Sequence, residues 1–170
     1  MRCVTSHRSR RSRSGVAALE MAVSLPLVLT LLIGTWEVGR IVEVQQILNV
    51  AARESARQAG SGLLTNSQVQ QVAVNYVRNA LGDTSGTMTQ NLAVTVTVYP
   101  AASPGTSEAI DVSQCQSLDQ IVIGVSIPYA DIRWIALPEI TGAQTLQAQA
   151  TWVSLKDFPF PSTAPQPPTG

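Results

Sequence analysis

The feature that most constrains this chain is an apolar run near its N-terminus, V-A-A-L-E-M-A-V-S-L-P-L-V-L-T-L-L-I-G-T-W, at residues 16–36. Glu20 is the only charged residue in the run. At about 1.5 Å per residue, a helix of this length reaches about 31 Å, which spans the hydrocarbon core of a bilayer. Trp36 ends the run, and Glu37 and Arg40 follow it. The pattern predicts a transmembrane helix with these three residues at a membrane interface.

The charges before the apolar run are all positive. They are the arginines Arg2, Arg8, Arg10, Arg11 and Arg13. An arginine cluster can bind nucleic acid, but arginines directly before a membrane-length run are typical of a cytoplasmic flank. The run is longer than the apolar part of a secretory signal, and no small-x-small cleavage site follows it. We therefore expect a retained single-pass anchor, a cytoplasmic N-terminus and no nucleic-acid partner.

Helical spacing continues beyond the membrane run and predicts an amphipathic stem that packs along a globular domain or along neighbouring chains. The apolar positions of the stem are Val38, Ile41, Val42, Ile47, Leu48, Ala51, Ala52, Ala56 and Ala59. If the two segments are continuous, one helix runs from about Val16 to about Ala59, and Gly60 and Gly62 end it. A second helix is predicted from Asn66 or Ser67 to Ala80.

The hydrophobic period then changes from that of a helix to that of a strand. Three segments alternate apolar and polar residues, at 92–99, 119–128 and 146–155. They predict a mainly antiparallel sheet of about three strands with one buried face. The connection before the last strand contains Trp134, which is either a contact residue or part of the edge of the core.

The fold class predicted from these patterns is α+β: a long N-terminal helix followed by a small domain with a second helix and the sheet. The predicted segments are a basic leader, a transmembrane helix, a stem helix, an extracytoplasmic α+β domain and a proline-rich tail, at residues 1–15, 16–37, 38–60, 61–157 and 158–170.

Residues for catalysis or metal binding are scarce. His7, the only histidine, precedes the membrane run, so no Ser-His-Asp or Cys-His arrangement is expected beyond it. There is no Cys or His cluster for zinc and no glycine-rich phosphate loop, and the aspartates are not spaced as in a calcium loop. Cys115 is interpreted as a buried thiol, with a bond to another chain as the alternative. We expect no enzyme activity, no cofactor and no metal.

A glycine separated by four residues from a glutamate at the start of an apolar helix resembles the processing signature of type IV pilins. Here these residues are Gly15 and Glu20. Together with the exit sequence E-V-G-R and the stem sequence A-A-R-E-S-A-R, the region from Arg13 to Ala59 resembles the TadE-like family, minor pseudopilins of the tight-adherence (Tad, or Flp) pilus. The residue after the glutamate is commonly aromatic in that family and is Met21 in this chain.

The resemblance implies a pilin-like fold and a specific processing event. A prepilin peptidase would cut between Gly15 and Val16 on the cytoplasmic side of the bacterial inner membrane and remove the leader arginines. The expected partners are the membrane, that peptidase, other pilin and pseudopilin subunits in a hetero-oligomer, and the Tad assembly platform. The domain would lie in the periplasm or outside the cell, and the chain could enter the pilus.

Glu20 has two interpretations. After cleavage, the new α-amine of Val16 would lie one helical turn away and could compensate the carboxylate, within one chain or between neighbouring subunits. Alternatively, Glu20 is an acid near a helix N-terminus that the helix dipole favours.

Two functions follow from these observations. One is a processed minor pseudopilin that supports pilus biogenesis and surface adhesion. The other is an uncleaved, membrane-anchored binding module that faces away from the cytoplasm. Processing after Gly15 distinguishes them.

Overall fold

The computed structural model describes residues 11–108, 110–133 and 144–156. Arg8, Arg10, Trp134 and the proline-rich tail lie outside these residues. The chain divides into two compact units, Met1–Arg40 and Ile41–Gly170. The predicted segment boundaries are finer than this division and stay a prediction.

Helix α1 spans Arg11–Ala59 and confirms that the apolar run and the stem form one continuous element. The described part of α1 already includes residues 11–15, so the predicted start at about Val16 lies within the helix. Arginine and serine are both accommodated in helices, and no proline interrupts residues 11–15. Pro26 lies inside α1 without ending it. The Thr30 hydroxyl donates a hydrogen bond to the Pro26 carbonyl at 2.8 Å, so this polar side chain is satisfied within the helix.

Helix α2 spans Asn66–Leu81, which matches the predicted range to within one residue at its end. Its N-terminus has a capping box: the Thr65 backbone N–H donates to Gln68 Oε1 at 2.9 Å, and the Gln68 N–H donates to Thr65 Oγ1 at 3.4 Å. Gly82 ends α2 in the left-handed conformation, with a φ of 66°.

The three predicted strands are present: β1 spans Ala93–Tyr99, β2 spans Gln120–Pro128 and β3 spans Thr145–Val153. They form one antiparallel sheet in the order β1-β2-β3. The short helix α3, Tyr129–Ile132, follows β2 directly. At the centre of the sheet, Gly124 on β2 pairs with Thr95 on β1 and with Gln149 on β3.

A hydrophobic core in the described part of the second unit joins the C-terminal part of α1, helix α2 and the inner face of the sheet. The positions of α1 beyond Arg40 that are buried are Val44, Leu48, Ala51, Ala52, Ser55, Ala56 and Ala59. The predicted stripe was therefore partly wrong, because Val38 and Val42 are exposed whereas Val44 is buried. Apolar residues lie on more than one side of this part of α1, so their spacing alone does not identify the packed face. Gln45 also ties α1 to β3, since its Nε2 donates to the Gln147 carbonyl at 2.7 Å.

Candidate processing and membrane-assembly site

The peptide bond between Gly15 and Val16 lies inside helix α1, in its second turn. Gly15 is exposed, and a Cβ atom built on it would meet no atom within 4 Å. Val16 is 65% exposed. Glycine in a helix interior is less favourable than alanine by about 1 kcal/mol, so α1 is locally weakened at this position. Arg11 and Arg13 belong to the turn before it.

Glu20 lies on the same side of α1 as Val16, one turn further along. A shallow apolar depression on this side is lined by Val16, Leu19, Glu20, Val23, Ser24 and Leu27. The rise of an α-helix places Val16 and Glu20 about 6 Å apart along the axis. Across residues 11–108, 110–133 and 144–156, no group donates a hydrogen bond to the Glu20 carboxylate, which is exposed. The Ser24 hydroxyl instead donates to the Glu20 backbone carbonyl at 2.9 Å.

The apolar run forms a continuous exposed surface on α1. Met21 and Leu31 are 63% and 64% exposed, and every residue from 15 to 36 is exposed. In the part of the chain that the structure describes, α1 is the one helix long and apolar enough to cross a membrane, and its most apolar window has a mean hydropathy of 2.3. An apolar surface of this extent requires lipid or a partner to cover it. The exposed run therefore indicates a single-pass membrane anchor.

The last residue of the apolar run and the two charged residues that follow it differ in burial. Trp36 is 64% exposed, Glu37 is only 5% exposed, and Arg40 is half-buried. The sequence pattern predicted Glu37 at a membrane interface and did not predict its burial. A signal for it was present, because Glu37 precedes the buried Val44 by seven residues, and two helical turns return to nearly the same side of a helix.

The charged residues near the end of α1 form an ion pair within the helix. Arg57 contacts Glu54 through two hydrogen bonds, Nε to Oε2 at 3.0 Å and Nη2 to Oε1 at 2.7 Å. Gln58 Nε2 also donates to Glu54 Oε1 at 2.7 Å. The hydrogen bonds from Arg57 and then Gln58 lower the pKa of Glu54 to about 2. These two stem charges thus neutralise each other within one subunit.

Cys115 and Asp119, the remaining candidates for reactivity or metal binding, are both buried within the fold. Cys115 is a free thiol, 2% exposed, which agrees with the buried-thiol interpretation. Burial, and next the nearby Asp119 carboxylate, raise the pKa of Cys115 to about 11, so the thiol is protonated at neutral pH. Asp119 itself accepts hydrogen bonds from the backbone of Ala101 and Gln116. Among the described residues, no group of three or more His, Cys, Asp or Glu side chains could hold a metal ion.

Comparison with known proteins supports the interpretation of α1. A family model described as TadE-like protein matches residues 15–57, about a quarter of the chain. The match confirms the resemblance predicted for this region, and it begins at Gly15 and contains Glu20. TadE-like proteins are structural and associated with Tad pili, so the match points to that class rather than to an enzyme family. Neither the curated proteins nor the solved structures gave a match.

Proposed function

Since residues 15–57 carry the TadE-like pattern, we propose that this chain is a minor pseudopilin of a Tad pilus. A prepilin peptidase cuts it after Gly15, and helix α1 then anchors it in the bacterial inner membrane. Its N-terminus is cytoplasmic, and the second unit lies on the other side of the membrane. There it supports pilus biogenesis and surface adhesion together with other pilin subunits. The observation that carries the proposal is the pair Gly15 and Glu20 on an exposed apolar helix, within the matched region.

Cleavage after Gly15 requires α1 to open locally, because the bond lies within the helix. A protease binds its substrate in an extended form, and glycine makes this opening easier than alanine would. Glycine also leaves space for a narrow protease cleft. The exposure of Gly15 is consistent with access by a membrane peptidase.

Cleavage also changes the charge at the start of α1. It removes a leader with five arginines and no acid, and it leaves a new α-amine on Val16. This amine lies on the same side of α1 as Glu20, whose carboxylate has no hydrogen-bond donor within the described chain. An ion pair between the two compensates both charges in an apolar environment, where either alone is unfavourable. In an assembly, the amine of one subunit can reach the Glu20 of its neighbour and set their axial register.

Processing is tested first by the mass and N-terminal sequence of the full chain from membranes of cells with and without a prepilin peptidase. The proposal expects a chain that starts at Val16 only when the peptidase is present. Gly15→Leu is expected to block cleavage, because its side chain obstructs the protease cleft. Gly34→Leu is the matched control: Gly34 is also in α1, and a Cβ atom there also meets no atom within 4 Å.

An intact leader in both strains would contradict processing and leave the alternative of an uncleaved, membrane-anchored binding module. Cleavage of both leucine variants would show that the peptidase does not require glycine at position 15. Loss of cleavage in both would indicate a general effect on α1, and the role assigned to Gly15 would then be withdrawn.

A further inference from the structure

The outer face of the sheet carries polar side chains but no charge. The alternation that buries Ile121, Ile123 and Val125 sends the intervening residues of β2 outward. Across the described strands, every outward position is uncharged, although solvated protein surfaces are normally rich in Lys, Arg, Glu and Asp. The side chains that give this face its chemistry are Thr95, Thr97, Tyr99, Ser126, Gln147 and Gln149.

The outer face is concave at its centre. An open trough with a volume of about 530 Å³ lies on it and extends over all three strands. This volume is within the range of ligand sites, about 300–1,000 Å³. Gly124 lies at the centre of β2, between Thr95 and Gln149 in the register of the sheet. Glycine weakens a strand interior and often marks a place where a ligand approaches the backbone.

Thr95 explains in part why residue 124 has no side chain. A Cβ atom on Gly124 would lie 2.6 Å from Thr95 Oγ1. The Thr95 hydroxyl donates a hydrogen bond to the Gly124 carbonyl at 3.4 Å, a long and therefore weak bond. The hydroxyl thus lies over the floor of the trough and keeps a lone pair for another donor.

The chemistry of the trough selects among classes of ligand. Hydroxyl and carboxamide groups each offer donors and acceptors, which match the hydroxyls of a sugar. Phosphates, nucleic acids and acidic glycans need cations, and none lines this trough. Protein interfaces are centred on large aromatic and apolar anchors, whereas the apolar side chains here besides Tyr99 are those of Val122, Val125 and Ala148, each at most 9% exposed. Tyr99 supplies an aromatic ring at one end of the trough, where a sugar ring can stack.

We propose that the outer face of β1–β3 binds a neutral oligosaccharide in the trough over Gly124. Amide and hydroxyl groups of Gln149, Gln147 and Thr95 hydrogen-bond the sugar hydroxyls. This site goes beyond the proposed function and does not depend on it, because it uses residues of the second unit and requires no cleavage after Gly15.

The test uses the full chain in lipid nanodiscs on an array of neutral, uronic-acid-containing and sulfated glycans, with titration of each bound neutral oligosaccharide in solution. Gln149→Ala and Thr95→Ala remove one hydrogen-bonding side chain each from the trough. Gln71→Ala and Thr106→Ala are matched controls, since both residues are exposed and lie outside the trough. Circular dichroism verifies that all four variants keep the fold.

The expected result is binding of neutral glycans, weakened by about fivefold or more in each trough variant and unchanged in both controls. Absence of binding to every neutral glycan overturns the proposal, and so does binding of acidic glycans alone. If the wild-type chain and both trough variants bind with equal affinity, the glycan binds outside the trough, and this result also overturns the proposal. Competition by the free oligosaccharide with the wild-type chain tests binding without any substitution.

Discussion

Gly60, the first residue after α1, lies directly against Trp152 of β3: a Cβ atom on Gly60 would be 2.4 Å from Trp152 Cδ1 and 2.8 Å from Nε1. The backbones meet at the same place, since the Leu155 N–H donates to the Gly60 carbonyl at 2.9 Å. The end of α1 thus packs closely against the end of the sheet, because residue 60 has no side chain. Gly60 therefore ends the helix and also leaves space for the Trp152 indole.

Gly60→Ala is expected to destabilise the second unit by about 1–3 kcal/mol, because the added methyl group overlaps the Trp152 indole. Urea unfolding of the full chain in detergent, followed by circular dichroism, measures the change. In a Trp152→Ala background the same substitution is expected to be less harmful, with a coupling energy of at least about 0.5 kcal/mol. Equal effects in both backgrounds would show that the indole is not what excludes a side chain from position 60.

Leu118 has a φ of 71°, and it is the one non-glycine residue with positive φ in the described ranges. Its N–H donates to the Ser154 carbonyl at 3.0 Å, and its side chain is 57% exposed. The left-handed conformation is unfavourable for leucine by about 1–2 kcal/mol. Because little burial is lost, Leu118→Gly is expected to be neutral or to raise stability by up to about 1 kcal/mol, after the extra chain entropy of glycine is subtracted.

Leu118→Val is expected to lower stability, because a β-branched residue fits the left-handed region worse than leucine. The same pair of substitutions at Leu63, which is 84% exposed and has no positive φ, serves as the control. Thermal unfolding by circular dichroism compares the four variants. A stability order at position 118 equal to that at position 63 would contradict the backbone argument.

The Glu54–Arg57 ion pair is expected to make stability depend on acid pH. The folded-state pKa of Glu54 is about 2, below its ordinary value of 4.5, because Arg57 and then Gln58 hydrogen-bond the carboxylate. The stabilisation is therefore complete above pH 4.5 and is lost as pH falls through about 2. Both side chains are substantially exposed, at 31% and 60%, so the effect is expected to stay below about 1 kcal/mol.

The difference in stability between the wild-type chain and Glu54→Gln isolates this contribution from other carboxylates. Hydrogen bonds from Ser113 and the Asn66 backbone also hold the pKa of Asp111 low, so absolute stability falls in acid for more than one reason. We expect the difference to be constant above pH 5 and to shrink towards pH 2. A difference that does not change with pH would show that the pair does not form in solution.

Most helices and strands could be predicted from the sequence because residues within or next to each element determine where it forms. The Thr65 cap and Gly82 fix the ends of α2, and alternation fixes the strands. The packed side of α1 could not be obtained in this way, since Val42 and Val44 are equally apolar and only contact with α2 and the sheet distinguishes them. The trough over Gly124 was missed for a similar reason: it arises from residues on three strands whose register no local pattern reveals.

The last prediction concerns Glu20 after processing. Glu20→Gln keeps the shape of the side chain but removes the charge that would pair with the Val16 amine. Cleavage after Gly15 is expected to continue, whereas cross-linking of the chain to other pilin subunits in the membrane is expected to fall at least about tenfold. The reason is that loss of one partner of a buried ion pair leaves the other charge uncompensated, which is unfavourable by about 3–5 kcal/mol.

Glu108→Gln, at an exposed position outside α1, is the control and is expected to cross-link like the wild-type chain. Under the alternative interpretation, Glu20 only interacts with the helix dipole. That interaction is worth at most about 1 kcal/mol at an exposed site and involves no other subunit. Undiminished cross-linking of Glu20→Gln would therefore favour the dipole. Loss of cleavage in this variant would instead assign Glu20 to recognition by the peptidase.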